Sequence, residues 1–105
     1  MKHMSSRLET LREMVAADPK NSFVRYALAT ELVKSGQVQD AVAEFRGLLA
    51  DDPGYSAAYY HGGRALESLG DLDAARAMYE QGIAATSANG DSHTRSELQA
   101  ALDLL

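Results

Sequence analysis

The feature that most constrains this chain is self-similarity: slid along itself by 34 positions, its marker residues land on one another. Asp18 and Pro19 fall on Asp52 and Pro53, Tyr26 on Tyr60, Leu32 on Leu66, and Gly36 on Gly70. Val38 falls on Leu72, Ala41 on Ala75, Phe45 on Tyr79, and Leu49 on Ile83. Nine coincidences in one register are no accident. Segments 22–34 and 56–68 follow a Pro-containing turn and carry apolar or small residues at helical spacing. Gly36 and Gly70 supply the left-handed residue that ends a helix. A second helix is predicted over about 38–50 and 72–86, and Asp52-Pro53 stops the first of these. The unit is therefore helix, tight turn, helix. One such hairpin cannot bury both its faces, so it must stack on its neighbours.

Small residues recur where the two helices of a unit meet, Ala29 and Gly63 facing Ala41 and Ala75, with Phe45 or Tyr79 as the bulky filler. This order of slots resembles the tetratricopeptide repeat. In the second unit Tyr59, Gly63, Leu66, Gly70, Ala75, Tyr79 and Gly82 match the family pattern, with Gly62 in place of Leu and Ser87 in place of Pro. In the first, Leu28, Ala29, Leu32, Gly36, Ala41, Phe45 and Pro53 match, Arg25 replaces the early aromatic, and Leu48 replaces a small residue. The resemblance covers about residues 22–89 and implies an all-α, right-handed superhelix of stacked helix-turn-helix units.

The flanks extend the array. Residues 7–19 read like the second half of another unit, with Leu11, Met14, Val15 and Pro19 in the slots of Phe45, Leu48, Leu49 and Pro53. Arg7 replaces the small Ala. Residues 91–105 read as a capping helix started by Asp91 or Ser92, with Leu98, Ala101, Leu102 and Leu105 on one stripe. About six helices in a single domain, 1–105, result: a half-repeat over 7–19, repeats over 22–55 and 56–89, and the cap. A half-unit at the start also fits a piece of a longer array.

The resemblance implies that the first helix of each unit lines a concave groove. Carrying the family's groove slots over gives Phe23, Tyr26, Thr30, Val33 and Lys34 from the first unit, and Ala57, Tyr60, Arg64, Glu67 and Ser68 from the second. Tyr26 and Tyr60 occupy the same slot and are expected side by side; aromatic anchors near an Arg suit peptide recognition. The competing reading is that both tyrosines pack against the next helix. The family's carboxylate clamp for acidic chaperone tails is not matched, because Tyr26 and Thr30 replace its Lys and Asn and His61 replaces an Asn. Arg95 reaches the clamp's last position only if 88–92 holds no insertion.

Little else in the sequence carries chemistry. His3, His61 and His93 are too far apart for a ligand pair on one helix, and Asp51-Asp52 and Asp71/Asp73 lack calcium-loop spacing. No Ser stands in a nucleophile elbow, and Gly62-Gly63 lies inside a helix instead of forming a phosphate loop. With no Cys there is no thiolate site, and the chain suits a reducing, cytoplasmic setting. A net charge of -5 without a basic stripe argues against nucleic acid. No run approaches the roughly 20 apolar residues that span a membrane. After Lys2 there is no apolar run, so no signal peptide is expected. The sequence thus points to a protein without cofactor or enzymatic activity that binds a peptide or partner helix. The alternative is a structural module that self-associates through its terminal helices, where Leu98, Leu102, Leu104 and Leu105 concentrate apolar surface.

Overall fold

The repeat spacing becomes helices in the computed structural model, which describes residues 3–105. They are α1 (His3–Ala17), α2 (Ser22–Lys34), α3 (Val38–Asp51), α4 (Ser56–Ser68), α5 (Leu72–Asn89) and α6 (Ser92–Asp103). No strand occurs among the described residues. Met1 and Lys2, and the side chains of residues 3–6, lie outside what is described.

Local chemistry sets the helix ends. The carboxamide of Asn21 caps α2 by accepting from the Val24 amide at 3.2 Å, and Asp71 and Asp91 do the same for α5 and α6. At the C-terminal ends of α2 and α4, Gly36 and Gly70 sit at φ 80° and 79°. There the chain reverses so that Gln37 and Asp71 donate backwards to the carbonyls of Leu32 and Leu66, at 2.8 and 3.0 Å. The second helix of the second unit, expected to end near residue 86, continues to Asn89. Ser87 stands where the family carries Pro, so nothing breaks the hydrogen-bond ladder until Gly90 adopts the left-handed conformation. Likewise the first helix begins at His3, ahead of the expected start at residue 7, and ends at Ala17, before Pro19.

Within each hairpin α2 packs on α3 and α4 on α5; α4 also packs on α3, and α6 on α5. Helix α4 touches both α2 and α6, whereas α3 and α5 do not meet. The stack therefore bends towards its first helices, which makes α2, α4 and α6 the concave side. Two apolar clusters hold it together. The first gathers Leu11, Leu28, Leu32, Phe45 and Leu48. The second gathers Tyr59, Leu66, Met78, Tyr79 and Leu98. Phe45 and Tyr79 are wholly buried.

The 34-residue symmetry extends to a side-chain tether. The Tyr59 hydroxyl donates to the Pro53 carbonyl at 2.6 Å. In the same slot one unit earlier, Arg25 donates to the Pro19 carbonyl at 3.4 Å and to Asp51 at 2.6 Å. Arg25 is thus a working substitute for the aromatic, and Gly47 leaves room for its guanidinium: a Cβ there would stand 2.8 Å from Arg25 Nη2.

Candidate functional site

The concave side is built from side chains one and two turns apart on α2 and α4. Tyr26 sits half-buried, its ring 6.3 Å from Phe45, 5.4 Å from Tyr55 and 5.7 Å from His61. The His61 ring in turn stands edge-on to Tyr60 at 5.2 Å. The two equivalent tyrosines are therefore joined through an imidazole. On the next turn of α4 the Arg64 guanidinium lies 5.8 Å from the centre of the Tyr60 ring and donates to its hydroxyl at 3.0 Å. That bond favours the charged form of Arg64 and raises its pKa further.

Beyond Arg64 a cleft of about 340 Å³ opens between α4 and α6, lined by Tyr60, Arg64, Glu67, Glu97, Ala101 and Leu104. Leu104 is 88% exposed there, an apolar side chain with little of its own chain to rest on. Glu67 has a structural duty as well. It accepts the hydroxyl proton of Tyr79, whose ring is fully buried, so a core hydroxyl finds its partner at the edge of the groove. Burial raises the Tyr79 pKa first and the Glu67 bond raises it further, keeping the phenol neutral.

The expected groove residues do not all meet. Tyr26, Tyr60, Arg64 and Glu67 belong to one continuous surface. Thr30 turns its hydroxyl to its own helix, donating to Ala27 at 2.9 Å. Val33 and Lys34 are exposed at the end of α2. Phe23, 68% exposed, stands at a separate cleft between α1 and α2 with Leu11, Met14 and Val24. Tyr55, His61, Glu97 and Leu104 share this surface, and the repeat pattern does not point to them. Tyr55 lies in the loop before α4, and the pairing of α6 with α4 depends on a register that the sequence leaves open. Of the terminal leucines, Leu98 is buried in the second core cluster and Leu102 and Leu105 pack against it, leaving Leu104.

Helix α6 begins at Ser92, which is 36 residues after Ser56, so the spacing exceeds the repeat by two. Arg95 accordingly takes the slot of Arg25 and Tyr59, not the clamp position. No group of three His, Asp or Glu side chains is gathered for a metal among the described residues.

Partial burial lowers the His61 pKa; Glu97 opposes this and Arg64 adds to it. A base that is harder to protonate folded than unfolded makes the unfolded chain take up more protons as the pH falls through about 6.5. Stability should drop from neutral pH to about pH 5, and His61→Gln should lose part of that drop. Urea midpoints at the two pH values measure it; equal slopes for parent and variant would refute the role given to His61.

Hairpins stacked in one direction with small residues at the crossings and a hollow lined by first helices define a helical-repeat solenoid. The tetratricopeptide repeat matches residues 26–90, and the chain belongs to that family. It is 31% identical over 91 residues to a TPR repeat-containing protein of Pseudomonas aeruginosa, covering 87% of each chain. Among solved structures, a tetratricopeptide repeat domain protein from Salinibacter ruber superposes with a TM-score of 0.76 at 41% identity, over 81% of this chain and 86% of that one. A protein from Bordetella parapertussis gives 0.78 at 33% identity, over 91% and 84%. PcrH, solved in complex with the chaperone binding region of PopD, gives 0.84 over 98% of this chain and 81% of that one, at 15% identity; this likeness is one of fold. No helix among the described residues is long and apolar enough to cross a membrane. Tetratricopeptide repeats are in general protein-protein interaction modules.

Proposed function

We propose that this chain is a non-catalytic adaptor that holds a peptide or partner helix along its concave side, anchored on Tyr60 and Arg64. The observation that supports this most is the run Tyr26, His61, Tyr60, Arg64, which leads without a break into the α4/α6 cleft. Rings already packed on neighbours lose little freedom when a partner covers them, so their burial goes mostly into affinity. Arg64 brings a cation on a stiff aromatic base, suited to a backbone carbonyl or a carboxylate of the partner. Leu104 offers an apolar ledge opposite. A protein of the same fold is known in complex with a region of another protein, which fits the reading.

Tyr60→Ala should weaken partner binding by about tenfold or more, the loss expected of a central aromatic. Far-UV circular dichroism and the melting temperature should stay close to those of the parent, because Tyr60 is only half-buried. The assay is capture of a partner from the source organism's lysate, followed by titration of that partner against both proteins. Unchanged affinity would remove Tyr60 from the site, and a large fall in melting temperature would make it a packing residue instead.

A further inference from the structure

The sequence holds two asparagines, Asn21 before Ser22 and Asn89 before Gly90. Asparagine is a labile residue because the backbone nitrogen of the next residue can attack its carboxamide. A Cβ on that next residue obstructs the approach, and glycine has none. Asn89-Gly90 is therefore the pair in this chain most disposed to react with itself. Its place in the fold decides whether it can.

The pair forms the joint between the second repeat and α6. Asn89 is the last residue of α5, and Gly90, at φ 79°, turns the chain towards α6. Residues 87–90 are all exposed, and a Cβ built on Gly90 would meet nothing within 4 Å, so water and base reach this turn freely. The Asn89 carboxamide acts as a latch. Its Nδ2 donates to the Gly54 carbonyl at 3.5 Å and to Ser56 Oγ at 3.3 Å, at the start of α4. Its Oδ1 accepts from the Asp91 amide at 3.0 Å. The two bonds to α4 are long, so the latch is a light one. What restrains reaction is the helix itself, because the Gly90 amide donates to the Thr86 carbonyl. Helix ends open at the least cost in a fold. When this turn frays, the Gly90 nitrogen is released beside Cγ of Asn89.

We propose that Asn89 is a self-modification site, deamidating in the folded chain through fraying of the last turn of α5 and so loosening the joint that carries α6. Base removes the Gly90 amide proton, and the nitrogen bonds to Cγ of Asn89. The Cγ–Nδ2 bond breaks, Nδ2 takes up a proton and leaves as ammonia, and a five-membered succinimide closes. Water then opens the ring at either carbonyl. One opening leaves aspartate; the other leaves isoaspartate, in which the main chain runs on through Cβ. One water is consumed and one ammonia released.

Either product undoes the latch. A carboxylate has no proton to give the Gly54 carbonyl, and it puts a negative charge at a helix C-terminus, two residues from Asp91. Isoaspartate also lengthens the main chain by one carbon, which draws the Gly90 and Asp91 amides away from the Thr86 carbonyl that both now share. Helix α6 supplies Glu97 and Leu104 to one wall of the cleft, but the proposal holds whether or not a partner binds there.

The folded chain, kept in mildly alkaline buffer and sampled over time, is mapped by proteolysis and mass spectrometry. Residue 89 should become a mixture of aspartate and isoaspartate while Asn21 stays intact. In Asn89→Gln, whose ring would need six members, the same peptide should not change. Hydrogen exchange reads the consequence. In Asn89→Asp the amides of Gly90, Asp91 and Arg95 should exchange about fivefold faster or more, the equivalent of one net hydrogen bond, with α2 and α3 unaffected. The position is exposed, so the variant keeps its fold, which circular dichroism checks. Survival of Asn89 in the folded chain, under conditions that convert it in urea, would overturn the proposal. So would equal loss at Asn21, or an exchange pattern in Asn89→Asp identical to that of the parent.

Discussion

Gly63→Ala is expected to unfold at a markedly lower urea concentration than the parent, with a loss of about 2 kcal/mol, while its neighbour Gly62→Ala holds or gains up to about 1 kcal/mol. Both glycines are buried in the middle of α4 and both weaken the helix by chain entropy, so propensity alone predicts the same gain at either. The packing separates them. A Cβ on Gly62 would find Met78 Cε and Phe45 Cβ at 3.4 Å, ordinary contact. On Gly63 it would collide with Tyr79 Cε1 and stand 2.6 Å from Cδ1 and 2.7 Å from Cζ. That ring has nowhere to go, being fully buried with its hydroxyl held by Glu67. The overlap costs more than the roughly 1 kcal/mol of helix propensity returned. Equal midpoints for the two variants would mean that α4 and α5 separate easily. The close crossing would then not be what fixes the hairpin.

The same comparison explains what could be read from the sequence. Gly63, Ala75 and Tyr79 announce themselves because the slots recur one unit earlier as Ala29, Ala41 and Phe45. A repeated slot reports a repeated physical demand, here a close helix crossing with a bulky filler beside it. Whatever the repeat does not share was harder to see. Arg25 occupies an aromatic slot, and only the geometry reveals that it reaches the same Pro carbonyl position as Tyr59. The junction between Asn89 and Ser92 departs from the period by two residues, which moves Arg95 and sets Glu97 and Leu104 in the same cleft as Tyr60. His61 has Ala27 as its counterpart, so no pattern marks it, yet it is the ring through which Tyr26 meets Tyr60. Fold is legible because stacking needs the same residues each time. A binding surface uses the positions that stacking leaves free, and those differ between units.

Tyr79→Ala and Phe45→Ala should be the most damaging single changes, about 3–5 kcal/mol each, against about 5–15 kcal/mol of total stability for a domain. Each removes a fully buried ring, and Tyr79→Ala also strips Glu67 of the donor it pairs with at the edge of the core. The two lesions should differ in where they are felt. Phe45 belongs to the cluster of α1, α2 and α3 that reaches Ala58 of α4, and Tyr79 to the one that joins α4 and α5 to Leu98 of α6. In a stack where each unit touches only its neighbours, lost contacts weaken the adjoining interfaces first. Native-state hydrogen exchange should therefore accelerate most in α4, α5 and α6 for Tyr79→Ala, and most in α1, α2 and α3 for Phe45→Ala. Helix α4, which faces both clusters, should respond to either. A uniform rise along the chain in both variants would mean that the six helices open as one unit, and that the two clusters are one core divided only by the eye.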